Sequence, residues 1–523
     1  MRELVVGLLV LIAAGACEQR VPEAVNAPPV AAPLVKEVES SACAPWPGRS
    51  LTEKVPGDAD LPQGIASAGV RATSAIVWAR TTRPVRLRVL YSEGEGCLHV
   101  SPFKAASPLE DHVVHFKLEG LKAETLYRYQ VEVEGAQGPS SPGYFSTAPL
   151  EDRPARIAFS ADVASFADKI RTLDQLVDAK PDLYLSLGDW PYTDLQGDST
   201  SATAFRRHYA ASRTGARVER LTRSVPIHAV WDDHEITNDW DGRVKKWRRQ
   251  RLEAGMKVWS QWWPVAGAPA GEIYRRYRWG KGLEIFHLDT RQHRDSNAAP
   301  AKGKTMLGAP QLDWFTKGLE ESEATFKLVV TSVPLDYGKT AKDMWLGFEQ
   351  ERDLILDHIV SKRITGVVFL AGDQHWYASH HLPSGTREWQ AGPLAFKPFR
   401  PTEPRPREVV AQGMGRNFGL VQYTPGSPAT LTLTFHLEDR GEVYREVLRQ
   451  GVGKIVVEAR ESERWSISGA HHFFGKGPAV LPMAPEGTYQ IKWGTSEALS
   501  PPKILEDRGQ ALFKEGASKE KSP

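Results

Sequence analysis

The spacing of apolar positions changes character twice along this chain. Over residues 61–149 apolar residues fall in short runs or alternate with polar ones, at 75–79, 85–91, 112–118 and 127–133, with turn residues between. That is the period of half-buried strands, and it predicts a small β-sandwich. From 154 onward strand and helix patterns alternate. Strands are expected at 156–159, 182–187, 227–231, 284–288, 326–330 and 367–370. Between them Ile170, Leu173, Leu176 and Val177, then Leu312, Phe315 and Leu319, then Leu354, Ile355, His358 and Ile359, recur at helical spacing. The alternation predicts an α/β layered domain over 150–450. After 425 a β pattern returns at 429–437 and 454–459, as a further sheet edge or as a small appended β-unit. Residues 451–523 are expected to form a β-rich extension whose charged end frays.

The first seventeen residues have a pattern of their own. Arg2 precedes an apolar run at 4–14, followed by Ala14-Gly15-Ala16-Cys17. The run is too short to span a bilayer and reads as the core of a secretory signal. A cysteine directly after small residues resembles a bacterial lipobox, which implies export, lipidation of Cys17 and a membrane-tethered protein of the periplasm or cell surface. A plain secretory signal is the alternative. Residues 18–60, with many Pro, Ala, Val and Glu, read as a tether. Export permits a disulfide between Cys43 and Cys97, and two buried thiols are the other reading. Two cysteines cannot build a Cys-rich zinc site. The 523 residues are 41% hydrophobic and 25% charged, as in soluble globular proteins. A net charge of +2 exerts no general pull on nucleic acid, and no nucleic-acid partner is inferred.

Candidate chemistry gathers where the predicted strands end. The first ends in Ser160-Ala161-Asp162 and the second in Gly188-Asp189-Trp190-Pro191-Tyr192. The third ends in Trp231-Asp232-Asp233-His234-Glu235, and a late one in Gly372-Asp373-Gln374-His375. Ligands of open α/β folds bind at the carboxyl ends of the strands. Each motif alone is ordinary turn or helix-start chemistry. Together they would bring Asp162, Asp189, Asp233 and Asp373 to one edge, where like charges repel and are costly to desolvate. Cations remove that cost. Oxygen-rich ligation with one histidine and one tyrosine suits iron(III), calcium or manganese.

These motifs, in this order, resemble those of the PhoD-like alkaline phosphatases and their relatives, the purple acid phosphatases. Gly188-Asp189-Trp190-Pro191-Tyr192 is similar to their Gly-Asp-x-x-Tyr motif, and Val230-Trp231-Asp232-Asp233-His234-Glu235 with Asn238 to the PhoD-like hallmark. Asp289-Thr290-Arg291-Gln292-His293-Arg294, Leu307-Gly308, Gly372-Asp373-Gln374-His375 and Asn417-Phe418-Gly419 complete the order. The resemblance implies a four-layer α/β/β/α metallophosphoesterase sandwich behind a small fibronectin- or Ig-like β domain; 118–127 looks like the turn and buried tyrosine of fibronectin type III domains. It implies two or more metal ions, iron(III) with calcium, manganese and zinc being alternatives. Asp189 would bridge two ions. Asp162, Tyr192 and His375 would hold the first; Asp233 and Asp373, with Asn238, the second, Asp232 being the register alternative to Asp233. His234 would act on the phosphate or the leaving group, orientation of Asp233 being its other reading, and Arg291 would contact phosphate, an ion pair with Asp289 being its other reading. The implied reaction is hydrolysis of phosphate monoesters or diesters by a hydroxide activated on the ions. Phospholipase-D-like head-group hydrolysis, or a non-catalytic binding protein on a degenerated scaffold, are the alternatives. The chain departs from the pattern at Asp162, where Cys is common, at His293, where Tyr is common, and at Thr331-Ser332-Val333-Pro334, where an upstream metal-binding histidine is not visible.

Other features have two readings each. The basic run from Arg243 to Arg251 is a solvated helix face or a surface for phosphate-rich substrate or anionic lipid. Trp259, Trp262 and Trp263 are core packing or a stacking platform. The proline-rich stretch 396–407 is a loop able to cross the site mouth, and His471-His472 is a surface pair.

Overall fold

The computed structural model describes residues 56–450 apart from 95, 196–199, 270, 340, 383–385 and 403–408, and beyond 450 the segments 454–458, 464–469, 473–476, 478–481, 487–493, 503–505 and 510–514. The expected leader, the tether, Cys43 and His471-His472 lie outside these residues. Among the described residues no helix is long and apolar enough to cross a membrane. Cys97 is disulfide-bonded.

Two sheets form the centre. The nine-stranded one runs, in spatial order, through Gly441–Arg449, Thr430–Leu437, Asn417–Thr424, Ala155–Ser160, Leu183–Ser186, Ile227–Ala229, Ile65–Ala68, Ser74–Arg80 and Val113–Glu119. The seven-stranded one runs through Arg275–Trp279, Leu283–His287, Phe326–Val330, Val367–Ala371, Arg387–Gln390, Tyr377–His381 and Val409–Gly413. Ala155–Ser160, Leu183–Ser186 and Ile227–Ala229 are parallel. So are Leu283–His287, Phe326–Val330, Val367–Ala371 and Arg387–Gln390. Parallel pairing puts the carboxyl ends of each set on one edge.

Side-chain alternation explains the layering. Ile285, Leu328, Val330, Val368 and Leu370 join Ile157, Phe159 and Leu185 of the larger sheet in one core. Their neighbours Phe286, Val329 and Phe369 point the other way, onto Phe315 and Leu319 of the helix Gly308–Glu321 and Ile355 and Ile359 of Glu349–Ser361. The larger sheet is covered in turn by the helices Thr172–Asp178 and Ala216–Ser224, through Leu173, Leu176, Val218 and Leu221. The order is helix, sheet, sheet, helix, as expected.

The β pattern of 61–149 does form a sandwich, and one of its sheets is continuous with the central one. Ile65–Ala68 pairs parallel with Ile227–Ala229 at Ala68 and Ile227, and antiparallel with Ser74–Arg80. The facing sheet contains Arg86–Glu93, Leu126–Val133 and Gly143–Ser146. Tyr127 is buried, and its phenol oxygen accepts the Lys122 amide (2.9 Å), tying the turn to the strand. Residues 430–449 complete the edge of the large sheet, whereas the strands beyond 453 form two small sheets of their own.

Candidate metal centre

Four expected ligands occupy tight turns just past strand ends. Asp162, Asp189, Asp373 and His375 all have left-handed backbones, with φ of 66°, 59°, 68° and 61°. Such conformations are uncommon for residues with a Cβ and cluster at functional sites. The turns interlock. The Asp162 amide donates to the Gly188 carbonyl (3.2 Å), the Val163 amide to that of Asp189 (2.8 Å), and the Ala395 amide to that of Asp162 (3.0 Å). Gly188 and Gly392 let the turns close up. A Cβ on Gly188 would stand 2.5 Å from the Asp232 Cβ, and one on Gly392 2.4 Å from Asp162 Oδ2.

Ligand atoms of Asp162, Asp189 and His375 lie within 4.8 Å of one another, and so do those of Asp189, Asp232, Asp233 and Asp373. Asp189 belongs to both groups. The Tyr192 hydroxyl closes the first, donating to Asp162 Oδ1 (2.9 Å) and lying 3.0 Å from His375 Nε2. His375 Nδ1 is 2.7 Å from the Lys397 carbonyl, an acceptor that holds the proton on Nδ1 and turns the Nε2 lone pair toward Asp162 and Tyr192. The structure thus brings together Asp162, Asp189, Tyr192, Asp233, Asp373 and His375.

The electrostatics bear on what the cluster holds. Burial and the charges of Asp233, Asp232, Glu235 and Asp162 push the Asp189 carboxyl far above the usual carboxylate range. Burial, Asp232 and Asp233 do the same to Asp373. Burial, with Asp162 and Asp189, pushes the Tyr192 phenol up. Buried carboxylate oxygens normally have partners. Yet Asp162 Oδ2, Asp189 Oδ2, Asp232 Oδ2 and Asp233 Oδ1 are buried with no hydrogen-bond partner. Buried carboxylate oxygens without donors fit cations, and the carboxylate, phenol and imidazole set fits hard or intermediate ions.

Several residues act in ways their sequence context did not show. Glu235 is a latch: it accepts the amides of Asp189 (3.0 Å), Trp190 (2.9 Å) and Asp232 (3.0 Å), binding two ligand turns together. Burial is the largest influence on it and pushes its carboxyl up to about 8. Asp194 lies 2.8 Å from His234 Nδ1, and the His234 amide donates to Asp189 Oδ1 (3.1 Å). Burial pulls His234 down, but Asp233 and Asp194 outweigh it and hold the imidazole at about 9. Ser332, in the segment without a histidine, donates to Asp232 Oδ1 (2.6 Å). Trp259, Trp262 and Trp263 are core, and the Trp263 indole donates to the Trp190 carbonyl (3.1 Å). The described part of the 396–407 loop does cover the site: Phe396 stacks on Tyr192 (4.2 Å) and Phe399 on His375 (4.4 Å).

Two expected residues are placed otherwise. Arg291 does not face an open pocket. It is fully buried, its Nε donates to Asp232 Oδ1 (2.6 Å), and its terminal nitrogens donate to both Asp343 oxygens (2.7 Å each). Its guanidinium also lies 3.8 Å from Asp233 Oδ2 and donates to the Trp240 carbonyl (3.4 Å), whereas Asp289 accepts its backbone amide (3.0 Å). Asn238 has an exposed side chain, and its amide donates to Asp194 Oδ2 (2.6 Å).

Paired sheets between helices, with acidic turns converging on a shared aspartate at their carboxyl edge, make this a protein of the metallophosphatase class. Comparison with known proteins narrows the class. The model for PhoD-like phosphatase matches residues 167–412, and that for its N-terminal domain residues 48–149. The chain belongs to the PhoD-like phosphatase family. It is 23% identical to alkaline phosphatase D of Bacillus subtilis over 61% of this chain and 65% of that one. It is 27% identical to purple acid phosphatase 15 of Arabidopsis thaliana, over 23% of this chain and 26% of the plant enzyme. The chain therefore spans just under two thirds of the Bacillus relative and about a quarter of the plant one. Among solved structures, PhoD superposes with a TM-score of 0.64 at 17% identity, covering 87% of this chain and 95% of that one. A purple acid phosphatase from yellow lupin seeds superposes with a TM-score of 0.56 at 12% identity, covering 74% of each. At such identities the likeness is one of fold. The metallophosphatase relatives, together with the clustered carboxylates and histidine, imply metal ions here.

Glu235→Gln replaces one latch oxygen by an amide that faces backbone donors. Metal affinity is expected to fall at least about tenfold, the scale on which outer partners of metal ligands act. Elemental analysis after dialysis checks this, and unchanged metal content would remove Glu235 from the role of latch.

Proposed function

We propose that this chain hydrolyses phosphate monoesters or diesters in a metal-dependent reaction outside the cytoplasm. The observation that carries the reading is the set of buried, partnerless carboxylate oxygens around Asp189, joined by the Tyr192 phenol and His375 Nε2. Asp162, Asp189, Tyr192 and His375 would hold one ion, iron(III), for which a phenolate is a fitting ligand. Asp189, Asp233 and Asp373, with Asp232 beside them, would hold a second, oxygen-loving ion such as calcium. Bound there, the ions supply Lewis acidity, easing loss of a proton from water and offsetting charge on the phosphoryl oxygens.

The protein's own part is positional and acid–base. Asp194 fixes the His234 ring through Nδ1, leaving Nε2 on the Asp233 side, 4.0 Å from Oδ1. From there Nε2 can donate a hydrogen bond to a phosphoryl oxygen or a proton to the leaving alkoxide. Phe396 and Phe399 shield the Tyr192 and His375 side from water. Ala14-Gly15-Ala16-Cys17 supports export with lipidation of Cys17. Head-group hydrolysis at a phospholipid surface is a second reading, favoured by exposed Lys245, Lys246, Trp247 and Arg248, which follow the metal-binding turn.

Chelation should abolish turnover, and Asp189→Ala should lose metal and activity together; full activity in metal-stripped protein would end the proposal. Rates on a phosphomonoester, a phosphodiester and phospholipid vesicles then identify the substrate. Bound metal with no turnover on any of them would leave a binding protein.

His234→Ala should lower kcat about a hundredfold or more while metal content is kept, as loss of a general acid does. An unchanged kcat would leave His234 with the orientation of Asp233 alone.

Cys17→Ala should move the protein from the membrane fraction to the soluble one. Equal partition of the two forms would sink the lipid anchor.

A further inference from the structure

A second group of ligand-type side chains shares no residue with the Asp189 centre. Carboxylate oxygens of Glu272 and Asp289 and a ring nitrogen of His293 lie within 4.8 Å of one another. Asp289 follows the strand Leu283–His287, His293 is four residues further on, and Glu272 comes from the segment before Arg275–Trp279. His293 Nε2 is 2.7 Å from Glu272 Oε2, and the Tyr274 ring packs against the imidazole edge to face at 6.5 Å.

Asp289 is the decisive member. It is fully buried, and its Oδ1 is saturated by the Trp231 indole (2.8 Å) and the amides of Arg291 and Gln292 (3.0 Å each). Its Oδ2 is buried with no hydrogen-bond partner, and so is Oε1 of the adjoining Gln292. Among the described residues no lysine or arginine side chain pairs with Asp289 or Glu272, so two carboxylates face one imidazole without a fixed counter-charge. Burial accordingly pushes the Asp289 carboxyl up. The side chains of His293 and Glu272 are 25% and 22% exposed, so solvent reaches the group from one side.

We propose that Glu272, Asp289 and His293 form a separate site for one divalent first-row transition ion, zinc being the best fit. Three protein ligands of mixed nitrogen and oxygen, with room for water, suit zinc; calcium takes six or more oxygens. The ion would tie the segment before Arg275–Trp279 to the one that follows Leu283–His287. Asp289 anchors the indole of Trp231, which precedes Asp232, and Arg291 in the same segment holds the Asp232 carboxylate.

The test uses the full chain with its Asp189 centre loaded and excess metal removed. Zinc alone is titrated by calorimetry, with thermal unfolding and elemental analysis in parallel, for the unaltered protein, His293→Gln and His293→Tyr. The unaltered protein should bind one further zinc per chain and melt higher with it. Both variants should lose that event or weaken it at least about tenfold, while keeping the ions of the Asp189 centre and their hydrolytic rate, so that failure here is distinct from failure of the proposed function. Equal zinc uptake by all three proteins, or uptake only by exchange at the Asp189 centre, would overturn the site and leave His293 and Glu272 as an ordinary ion pair. Should His293→Gln fail to fold, His293→Tyr and Glu272→Gln carry the comparison.

Discussion

Asp162, Asp189, Asp232, Asp233 and Asp373 repel one another, and most of the local architecture can be read as what is needed to hold them together. Desolvated like charges drive each other toward the neutral form unless positive charge is supplied. Here the chain supplies geometry first. Parallel strands deliver the turns to one edge, glycines at 188 and 392 remove the Cβ atoms that would hold them apart, and left-handed backbones aim the side chains inward. None of these is stable for its own sake, and all are constrained by the double-sheet core beneath them.

Charge on the protein side is layered behind the ligands. Arg291 holds Asp232 from behind and is itself held by Asp343, which also accepts from Arg294 (2.8 Å). Burial disfavours ionising Asp343, but the two guanidinium groups hold it well below the usual range. A buried pair of this kind contributes little net stability, because desolvation offsets attraction; its effect is to fix where Asp232 can be. Asp232 thus has the Arg291 guanidinium on one oxygen at hydrogen-bond distance, and Asp233 Oδ2 has it at 3.8 Å, while Asp189 has no cation among the partners described.

The fold was legible because two periods coexist in the sequence, and because the side chains of 283–287, 326–330 and 367–371 alternate between two apolar partners, which keeps such strands largely hydrophobic. The ligand turns were legible because Gly-Asp and Asp-Asp-His-Glu follow strands directly. What was not legible lies in single residues that act across the fold. Asp343 and Asp194 carry no motif; only their three-dimensional neighbours, Arg291 and His234, define them. Glu235 looked like a helix start and proved to be an acceptor for three amides. Arg291 was expected at the phosphate because arginine suits phosphate, yet the same planar fork suits carboxylates, and burial decided between them. The continuity of the large sheet into 65–119 was also hidden, since a pairing such as Ala68 with Ile227 leaves no trace in local pattern.

That continuity changes what the N-terminal strands are. Ile65–Ala68 occupies the hydrogen-bonding flank of Ile227–Ala229, the strand that leads directly into the Asp232-Asp233 turn. Strip the N-terminal strands away and the amide and carbonyl groups on that flank would face water as a raw margin, open to pairing with other chains. The N-terminal sandwich is thus less a neighbour of the phosphatase core than its hem.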